Sequence, residues 1–384
     1  MKRIVIVGYC PLTQKTNVVL GVDKLVKHTL VEYWDVSPIV GNQGFPVKCH
    51  VSKVKVTEMA RISEFESAVK NLDSNTLVIF NMLVKYDTCI FFRYLVRTPC
   101  KIAAVVVGSL PVYSNENETK IESLKQLVNR IHTFFNITHF SLAIRNRLAL
   151  CWIRHLRPFD YYLYSGAKAN YSGANYNPRT MKIPINSYDC QLAKSFNESK
   201  ISTEKFIVFI DDYLAYHPDF LMLGIETVNP DVYYNELNAY FDRIEERYGL
   251  PVVIAAHPRA DRYKEANYFN GRRVLFGSTM DLTARAEFVI THFSTAISYA
   301  IINMKPILFI YTDEMISKNL GHGTFFSMAD LLNSNIVNIS QSVNTDVFPV
   351  NEERYKDYLY SYETSPEVVD KDNYEVILEL LKID

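Results

Sequence analysis

The chain has 384 residues, of which 48% are hydrophobic and 22% are charged, a composition typical of a globular protein. Its length suggests two domains or one very large one. The 41 Lys and Arg residues balance 42 Asp and Glu residues, and this balance disfavours nucleic-acid binding driven by a basic surface. No apolar run approaches the roughly 18 residues that a membrane span needs. We therefore expect neither an integral membrane protein nor a nucleic-acid-binding protein.

The cysteines and the N-terminal sequence both favour the reducing cytoplasm. The six cysteines are Cys10, Cys49, Cys89, Cys100, Cys151 and Cys190. No two of them have CxxC spacing, and none joins histidines in a zinc-binding pattern. The first residues, MKRIVIVGY, lack the longer apolar region and the cleavage site of a signal peptide, so they predict a buried strand. We therefore predict a cytoplasmic protein with free thiols.

The first half of the chain has the pattern of repeated strand and helix pairs. Short apolar runs rich in β-branched residues predict parallel strands that are buried on both faces, at 4–7, 77–80 and 102–107. A helix is predicted over 56–72, because Met59, Ile62, Phe65 and Val69 recur there at helical spacing. These elements indicate a first α/β domain.

A second series of strands and helices follows a stretch without a clean period, at about 161–200. Its apolar runs predict strands at 206–210, 252–256, 273–276, 288–291 and 306–310. A long helix is expected to begin at Asn229-Pro230, a capping residue followed by a proline in the first turn, and to end at Gly249.

Two such series predict an α/β fold with two Rossmann-like domains that face each other across a cleft. We expect an N-terminal domain at 1–195, which would bind an acceptor. A C-terminal domain at 200–345 would bind a ligand beyond the carboxyl ends of its strands. Residues 346–384 would form a C-terminal helical segment.

The tripeptide His257-Pro258-Arg259 directly follows one of the predicted buried strands. Ligands of open α/β sheets bind beyond the carboxyl ends of the strands. An imidazole and a guanidinium there can hold a phosphate and neutralise a leaving group, and the proline fixes the backbone between them. A surface turn with a capping histidine is the alternative. The agreement of position and residue types favours catalysis by His257 and ligand binding by Pro258 and Arg259.

A second polar loop, with His292, Ser294 and Thr295, follows another predicted strand. We expect Ser294 and Thr295 to open a helix, where hydroxyl groups and unpaired backbone amides can cradle a phosphate. A simple helix cap is the alternative, since Ser and Thr cap helices constantly. If both loops reach the same edge of one sheet, all three residues, His292 included, are candidate phosphate ligands beside His257.

An acidic pair, Asp211-Asp212, follows the first strand of the second series. Two carboxylates at a strand exit can act as a base or a nucleophile, or bind a metal. A turn or cap pair is a strong competing explanation. Both aspartates are therefore candidate catalytic residues.

Several polar residues of the first domain occupy comparable strand exits. The loop 8–17 contains neither GxGxxG nor a Walker A motif, so it gives no sign of nucleotide binding. Thr13 and Asn17 of this loop, and Asp35 after the next apolar run, are candidate contacts for an acceptor. Ser109 holds a similar place. Each of these residues also has a plain structural explanation.

The stretch 141–157 interleaves four arginines with apolar residues: SLAIRNRLALCWIRHLR. Such a helix can lie on an anionic membrane. A helix packed on the core, with the arginines at its rim, is the simpler interpretation and is favoured.

The second half resembles the nucleotide-binding domain of GT-B glycosyltransferases, in particular the bacterial sialyltransferases and Kdo transferases that use CMP-activated sugars. Those families carry an acidic motif, a His-Pro motif and a Ser-Ser/Thr motif in this order, which matches Asp211-Asp212, His257-Pro258 and Ser294-Thr295. The resemblance covers about residues 200–312. The acidic motif of the sialyltransferases usually ends in Gly, where this chain has Tyr213. This departure leaves open that the base lies in the first domain, at Asp35.

The resemblance implies a GT-B glycosyltransferase that transfers an ulosonic acid, such as a sialic-type sugar or Kdo, from CMP to a lipooligosaccharide, O-antigen or capsule. His257 would be the leaving-group acid, Ser294 and Thr295 the phosphate ligands, and Asp211 or Asp212 the base or nucleophile. No cofactor is implied, and the cationic groups remove the need for a divalent metal. The enzyme would act in the cytoplasm, with peripheral contact at the inner membrane as an open alternative.

Three alternatives keep the fold and change the activity. The donor can instead be a UDP- or GDP-sugar, with Glu314 binding its ribose. A UDP-sugar epimerase has the same architecture and needs no acceptor. A non-catalytic binding protein on a GT-B scaffold is the third alternative, and the presence of His257, Arg259, Ser294 and Thr295 speaks against it.

Overall fold

The protein consists of two compact α/β units, each built around one parallel sheet. The structure is a computed structural model and describes residues 3–41, 48–108, 111, 137–169, 177–195, 204–218, 220 and 225–382. The first unit comprises Met1–Gln191 and Ser361–Asp384, and the second comprises Leu192–Tyr360. The predicted α/β fold with two Rossmann-like units is confirmed.

The first unit contains a seven-stranded parallel sheet in the order β3-β2-β1-β4-β5-β6-β7. Its strands are β1 Arg3–Gly8, β2 Leu30–Asp35, β3 Lys55–Glu58, β4 Thr76–Asn81, β5 Lys101–Val106, β6 Tyr161–Tyr164 and β7 Met181–Pro184. The helices described up to the second unit are α1 Gln14–Leu20, α2 Val22–Leu25, α3 Ser37–Val40, α4 Ile62–Val69, α5 Cys89–Leu95, α6 Ile137–Ile153 and α7 Tyr188–Lys194. Apolar residues from both faces of the sheet form two buried clusters with these helices.

The helix predicted over 56–72 is wrong in its first part. Residues Lys55–Glu58 form β3, which pairs with β2 at the edge of the sheet, and the helix α4 begins only at Ile62. The helical spacing of Phe65 and Val69 was a sound signal, since both are buried. Three of the four residues of β3 are exposed, so the strand lacks the apolar run that identifies the central strands.

The second unit contains a six-stranded parallel sheet in the order β10-β9-β8-β11-β12-β13. Its strands are β8 Ile207–Ile210, β9 Val252–Ala256, β10 Val274–Phe276, β11 Val289–Thr291, β12 Ile307–Tyr311 and β13 Asn335–Asn338. Its helices are α8 Pro230–Tyr248, α9 Thr279–Arg285, α10 Ile297–Ile302, α11 Asp313–Ser317, α12 Thr324–Leu332 and α13 Glu352–Tyr358. Short 3-10 turns occupy Asp261–Lys264 and Leu320–Gly323.

The long helix α8 confirms the boundaries expected from its capping residues. Asn229 Oδ1 accepts hydrogen bonds from the backbone amides of Asp231 and Val232, at 3.0 and 3.4 Å. Pro230 is the first helical residue, and Gly249 ends the helix in the left-handed conformation, with φ of 64°.

In each sheet, the strand that comes first in the chain lies in the middle. The next two strands lie on one side of it, and the later strands lie on the other side. In the first sheet β1 lies between β2 and β4, and in the second β8 lies between β9 and β11. This is the Rossmann strand order, in which a crevice opens beyond the carboxyl ends of the strands where the order reverses. The exits of β1 and β4, and those of β8 and β11, are therefore the places where each unit can bind a ligand.

The C-terminal segment is divided between the units. Helix α13 belongs to the second unit, whereas Ser361 onwards belongs to the first. There the last helix, α14 Asn373–Leu380, lies against α1 and α2. Buried Asn373 donates from Nδ2 to the carbonyl groups of Val19 and Asn186, both at 2.8 Å. The end of the chain is thus part of the core of the first unit.

In the part of the chain that the structure describes, no helix is both long and apolar enough to cross a bilayer.

Candidate active site

Three polar loops of the second unit leave the sheet at the same edge, beyond the carboxyl ends of β8, β9 and β11. The central strand β8 pairs in register with both neighbours: Ile210 lies opposite Ala255 of β9 and opposite Thr291 of β11. The three sequence motifs begin one to three residues after these positions. The structure therefore brings the acidic pair, the His-Pro-Arg loop and the Ser-Thr loop together, as expected for exits of adjacent parallel strands.

Asp211 joins the exit of β8 to the exit of β9. It is 2% exposed. Its Oδ1 accepts from the backbone amide of Tyr213 at 3.0 Å, and its Oδ2 accepts from the amide of His257 at 3.5 Å. The Tyr263 phenol also donates to it. Burial raises the pKa of Asp211 to about 6, against the opposing effect of these donors. Enclosed in this way, Asp211 positions the His257 loop and lacks the exposure that a nucleophile needs.

Asp212 joins the same exit to the β11 loop on the other side. It is half-buried, and its Oδ2 accepts from the backbone amide of Phe293 at 3.2 Å. The Ser294 hydroxyl donates to the same carboxylate. Loss of solvation, with a smaller contribution from the neighbouring charge of Asp211, raises the pKa of Asp212 to about 7. A carboxyl group that titrates near neutral pH can accept a proton and later release it.

His257 is half-buried at the start of the β9 loop. Its Nδ1 accepts a hydrogen bond from the backbone amide of Arg259 at 3.2 Å, so the neutral ring carries its proton on Nε2. The ring stacks on Tyr213, with centroids 6.3 Å apart and planes 8° apart, and the ring of His217 meets it edge-on at 4.9 Å. The loop thus orients an imidazole that can donate from Nε2. The side chain of Arg259, like Pro258, is exposed beside it.

Ser294 and Thr295 have different environments. The expectation that they open a helix is wrong by two residues, because α10 begins at Ile297. Ser294 Oγ accepts from the backbone amide of Ala296 at 3.4 Å while its hydroxyl donates to Asp212. Thr295 is exposed. Ser294 therefore shapes the loop, and Thr295 is the hydroxyl of the pair that faces solvent.

The expectation that His292 is a phosphate ligand is wrong. The side chain is 0% exposed. Its Nδ1 donates to the carbonyl oxygen of Ile310 at 2.7 Å, and its Nε2 accepts from the phenol of Tyr233 at 2.9 Å. Burial lowers the pKa of His292 to about 4, so the ring is neutral at physiological pH. His292 is a core residue that ties β11 to β12 and to α8.

A cluster of aromatic residues beside His257 was missed by the sequence analysis. The rings of Tyr234 and Tyr268 contact each other and also those of Tyr216 and Tyr263. Arg262 lies over the ring of Tyr216 at 4.3 Å. Burial raises the pKa of Tyr216 to about 12, so its phenol stays protonated. One signal was available in the sequence, because Arg262 and Tyr263 follow the His-Pro-Arg loop within a few residues.

Glu314, the candidate ribose ligand of a UDP- or GDP-sugar, has internal partners. Its two carboxylate oxygens accept from the backbone amide of Asn229, at 2.9 and 2.8 Å. Lys318 pairs with it at 2.8 Å. The carboxylate therefore links the start of α8 to α11.

The corresponding edge of the first unit contains a cavity of about 560 Å³. It is lined by Tyr9, Cys10, Thr13, Gln14, Lys15, Thr16, Val19, Leu20, Asn81 and Val107. Thr13, a candidate acceptor contact, is among the lining residues, and its Oγ1 also caps α1 by accepting from Thr16 N at 3.1 Å.

Two other candidate acceptor contacts are structural. Asn17 is buried, and its Oδ1 accepts from the amide of Asp23 at 3.0 Å, which holds α1 to α2. Asp35 is 2% exposed, and its Oδ1 accepts from the amide of Ser37 at 2.9 Å. Neither lines the cavity, and both carry hydrogen bonds within their own unit. Ser109 lies outside the described residues.

Among the described residues, no three His, Cys, Asp or Glu side chains are placed together so that they could hold a metal ion.

Comparison with known proteins gives structural similarity without sequence similarity. No protein-family model matches the chain, and neither does any curated protein. Similar solved structures include the wall teichoic acid polymerase TagF, at 12% identity and a TM-score of 0.49 over 99% of this chain and 89% of that chain. The UDP-GlcNAc 2-epimerase from Methanocaldococcus jannaschii matches over all of both chains, at 12% identity and a TM-score of 0.49. The S. aureus MnaA–UDP structure has 14% identity and a TM-score of 0.46, over 100% of this chain and 96% of that chain. At these values the similarity assigns neither an activity nor a substrate.

Proposed function

We propose that this protein is a glycosyltransferase of the GT-B type, and that the phosphate of a nucleotide-activated sugar binds at the carboxyl edge of the second sheet. The observation that carries the proposal is the position of the acidic pair. Asp211 holds the His257 loop and Asp212 holds the Ser294 loop, so one strand exit fixes both neighbouring loops. Stabilisation of a departing phosphate requires hydrogen-bond donors that are held in place around it, and fixed loops can provide them.

The groups at this edge suit an anion. His257 offers Nε2–H, Arg259 offers an exposed guanidinium, and Thr295 offers an exposed hydroxyl. The raised pKa values of Asp211 and Asp212 keep part of their population protonated near neutral pH, which reduces their repulsion of a phosphate. Net attraction for a phosphate is therefore compatible with two carboxyl groups close by.

The residues divide into reacting and positioning roles. His257 would donate to the leaving phosphate from Nε2, and Arg259 and Thr295 would bind its other oxygens. Asp212, half-buried with a pKa of about 7, is the better candidate for the base that takes the proton of an acceptor hydroxyl. Asp211, which is enclosed by its donors, would position His257.

For the donor we favour CMP linked to an ulosonic acid, a sialic-type sugar or Kdo. Such a donor brings one phosphate and one carboxylate, and His257 and Arg259 supply one partner for each. The Nε2–H of His257 and the guanidinium of Arg259 would replace a divalent metal. The acceptor would be a bacterial surface glycan, bound in the 560 Å³ cavity of the first unit, with the reaction taking place in the cytoplasm.

The test is titration calorimetry of CMP, UDP and GDP in the presence of EDTA. The variants are His257→Gln and Arg259→Gln. Arg273→Gln is the matched control, because Arg273 is exposed at the opposite edge of the same sheet, where it pairs with Glu204 at 2.7 Å. We expect wild type to bind CMP in preference to UDP and GDP. Loss of one charge-assisted hydrogen bond should weaken CMP about 10- to 100-fold in the two site variants and leave the control unchanged.

Each outcome tests a different part of the proposal. Binding of UDP or GDP in place of CMP would overturn the ulosonic-acid donor and leave the glycosyltransferase proposal. Binding that is equal in all variants would overturn the site. The absence of binding by all three nucleotides would overturn the proposed function.

A further inference from the structure

The outer face of α6 is apolar, although the helix already buries its other face in the core. Ala149 and Ile153 are 5% and 1% exposed and belong to a core cluster of the first unit. On a neighbouring side of the helix, Ile144, Leu148 and Trp152 are 43%, 62% and 44% exposed. These three residues are spaced by four, so they form one stripe along the helix. A helix on the surface of a globular protein normally shows polar residues there.

The apolar stripe continues onto the loop that follows β4. Leu83 and Tyr86 of this loop are 48% and 47% exposed. The loop is attached to α6, since the backbone amide of Tyr86 donates to Asn146 Oδ1 at 2.9 Å. We call this combined area, defined by Leu83, Tyr86, Ile144, Leu148 and Trp152, the α6 surface.

The α6 surface is bordered by positive charge. Arg145, Arg147 and Arg154 are exposed, and the stretch 144–159 contains four arginines and no Asp or Glu. Two guanidinium groups lie over aromatic rings of the surface: Arg93 over Trp152 at 4.6 Å and Arg145 over Tyr86 at 5.5 Å. Exposed Lys85 adds a cation, and exposed Asp87 is the only acid of the loop 82–88.

We propose that the α6 surface lies on an anionic lipid bilayer. Apolar side chains that include a Trp, bordered by arginines, match the interface between acyl chains and phosphate groups. Each Arg near an anionic membrane contributes about a fivefold gain in binding, and a neutral partner would leave these charges unmatched. The other face of α6 is packed in the core, so the helix lies along the bilayer surface. This proposal does not depend on the identity of the sugar donor.

The structure offers an internal reporter for the test. The chain has two tryptophans, and Trp34 is 2% exposed, so a change of emission on contact with vesicles comes from Trp152. The full chain is mixed with vesicles of phosphatidylcholine, with or without phosphatidylglycerol. Sedimentation measures binding, and the emission maximum and quenching by iodide report on Trp152.

We expect the chain to sediment with the anionic vesicles and not with the neutral ones, and added salt should weaken the binding. Emission of Trp152 should shift to shorter wavelength and become shielded from iodide. Arg145→Gln combined with Arg147→Gln should weaken binding about 25-fold. Leu148→Ser should weaken binding as well, whereas Trp152→Phe should abolish the emission change while the protein still sediments.

Two substitutions in the second unit serve as matched controls. Val232→Ser removes an apolar side chain of α8 with 47% exposure, and Arg273→Gln removes an exposed arginine. Both should bind vesicles as wild type does. Equal binding by the α6 variants and wild type would overturn the proposal, as would the absence of binding. A dimer in which Trp152 is shielded without lipid would also overturn it, and would identify a second copy of the chain as the occupant.

Discussion

The two sheets have the same strand order around their first strand. The loop that follows this strand is held by a phenol in the first unit and by carboxyl groups in the second. In the first unit, the phenol of Tyr33 donates to the carbonyl oxygen of Cys10 at 2.7 Å and holds the loop after β1. The phenol has room because residue 8 is glycine: a Cβ there would lie 1.9 Å from the phenol oxygen. In the second unit, the carboxyl groups of Asp211 and Asp212 hold the equivalent loops.

A neutral hydrogen bond stabilises a turn without burying a charge, whereas a desolvated carboxylate costs free energy. The raised pKa values of Asp211 and Asp212 are the sign of that cost. The hydrogen bond from Tyr33 to Cys10 shows that a loop after the first strand can be held in this strand order without a carboxyl group. Their presence in the second unit therefore supports a chemical role at that edge.

The largest expected effect is a difference in stability between Ala variants of two equally buried aspartates, Asp211 and Asp35. Asp211→Ala removes the acceptor of two backbone amides and of the Tyr263 phenol, and should lower the free energy of unfolding by about 2–4 kcal/mol. Asp35→Ala removes the acceptor of Ser37 N and should cost about 1 kcal/mol. Urea unfolding of both variants measures the difference. If Asp211→Ala costs no more than Asp35→Ala, Asp211 does not position the His257 loop.

A second prediction concerns the pH dependence of stability. The pKa of Asp212 is raised from an ordinary 3.8 to about 7, so the folded protein binds this proton more tightly than the unfolded chain does. The resulting stabilisation is fully present below about pH 4 and is lost as the pH rises through about 7. Between pH 5 and pH 8, wild type should therefore lose roughly 1–2 kcal/mol relative to Asp212→Asn, a figure reduced because the side chain is partly exposed.

The matched control is Asp313→Asn in the same unit. Hydrogen bonds from Asn338 and Gln341 hold the pKa of Asp313 below its ordinary value, so its contribution does not fall as the pH rises from 5 to 8. Urea unfolding at both pH values gives the comparison. An identical pH dependence in wild type and Asp212→Asn would show that the carboxyl group is as well solvated as an exposed one.

The same substitution separates binding from chemistry. Asp212→Asn keeps an oxygen that can accept from Phe293 N, so the β11 loop should hold its shape and CMP affinity should change by less than about threefold. Sugar transfer should fall by about 10²- to 10⁴-fold, as expected for the loss of a general base. CMP release in the presence of acceptor measures transfer. Unchanged transfer would exclude Asp212 as the base.

Eight strands and the meeting of the three loops could be predicted from the sequence because both depend on local patterns. The strands β2, β3, β6, β7 and β13 were not predicted. Buried parallel strands are short apolar runs, and the exits of adjacent parallel strands necessarily reach one edge. Edge strand β3 could not be predicted in this way, because its residues are mostly exposed and carry no apolar run.

The roles of individual residues at that edge depended on distant partners. His257 and His292 both follow a buried strand, and nothing local shows that the ring of His292 is enclosed. The difference comes from Tyr233 on α8 and from the Ile310 carbonyl on β12, which enclose the ring of His292. In the same way, burial of Asp211 rests in part on Tyr263, which lies about fifty residues further along the chain.

The smallest expected effect on stability is the loss of one neutral hydrogen bond, which can be compared between the two units. Tyr233→Phe leaves the buried Nε2 of His292 without a donor, and Tyr33→Phe leaves the Cys10 carbonyl without one. Each should lower the free energy of unfolding by about 1 kcal/mol. Because His292 is a core residue 0% exposed, Tyr233→Phe should also leave CMP affinity within about twofold of wild type. Calorimetry on the folded variant checks this. A tenfold loss of CMP affinity would return His292 to the binding site, and it would mean that neutral hydrogen bonds in the second unit serve the ligand as much as its carboxyl groups do.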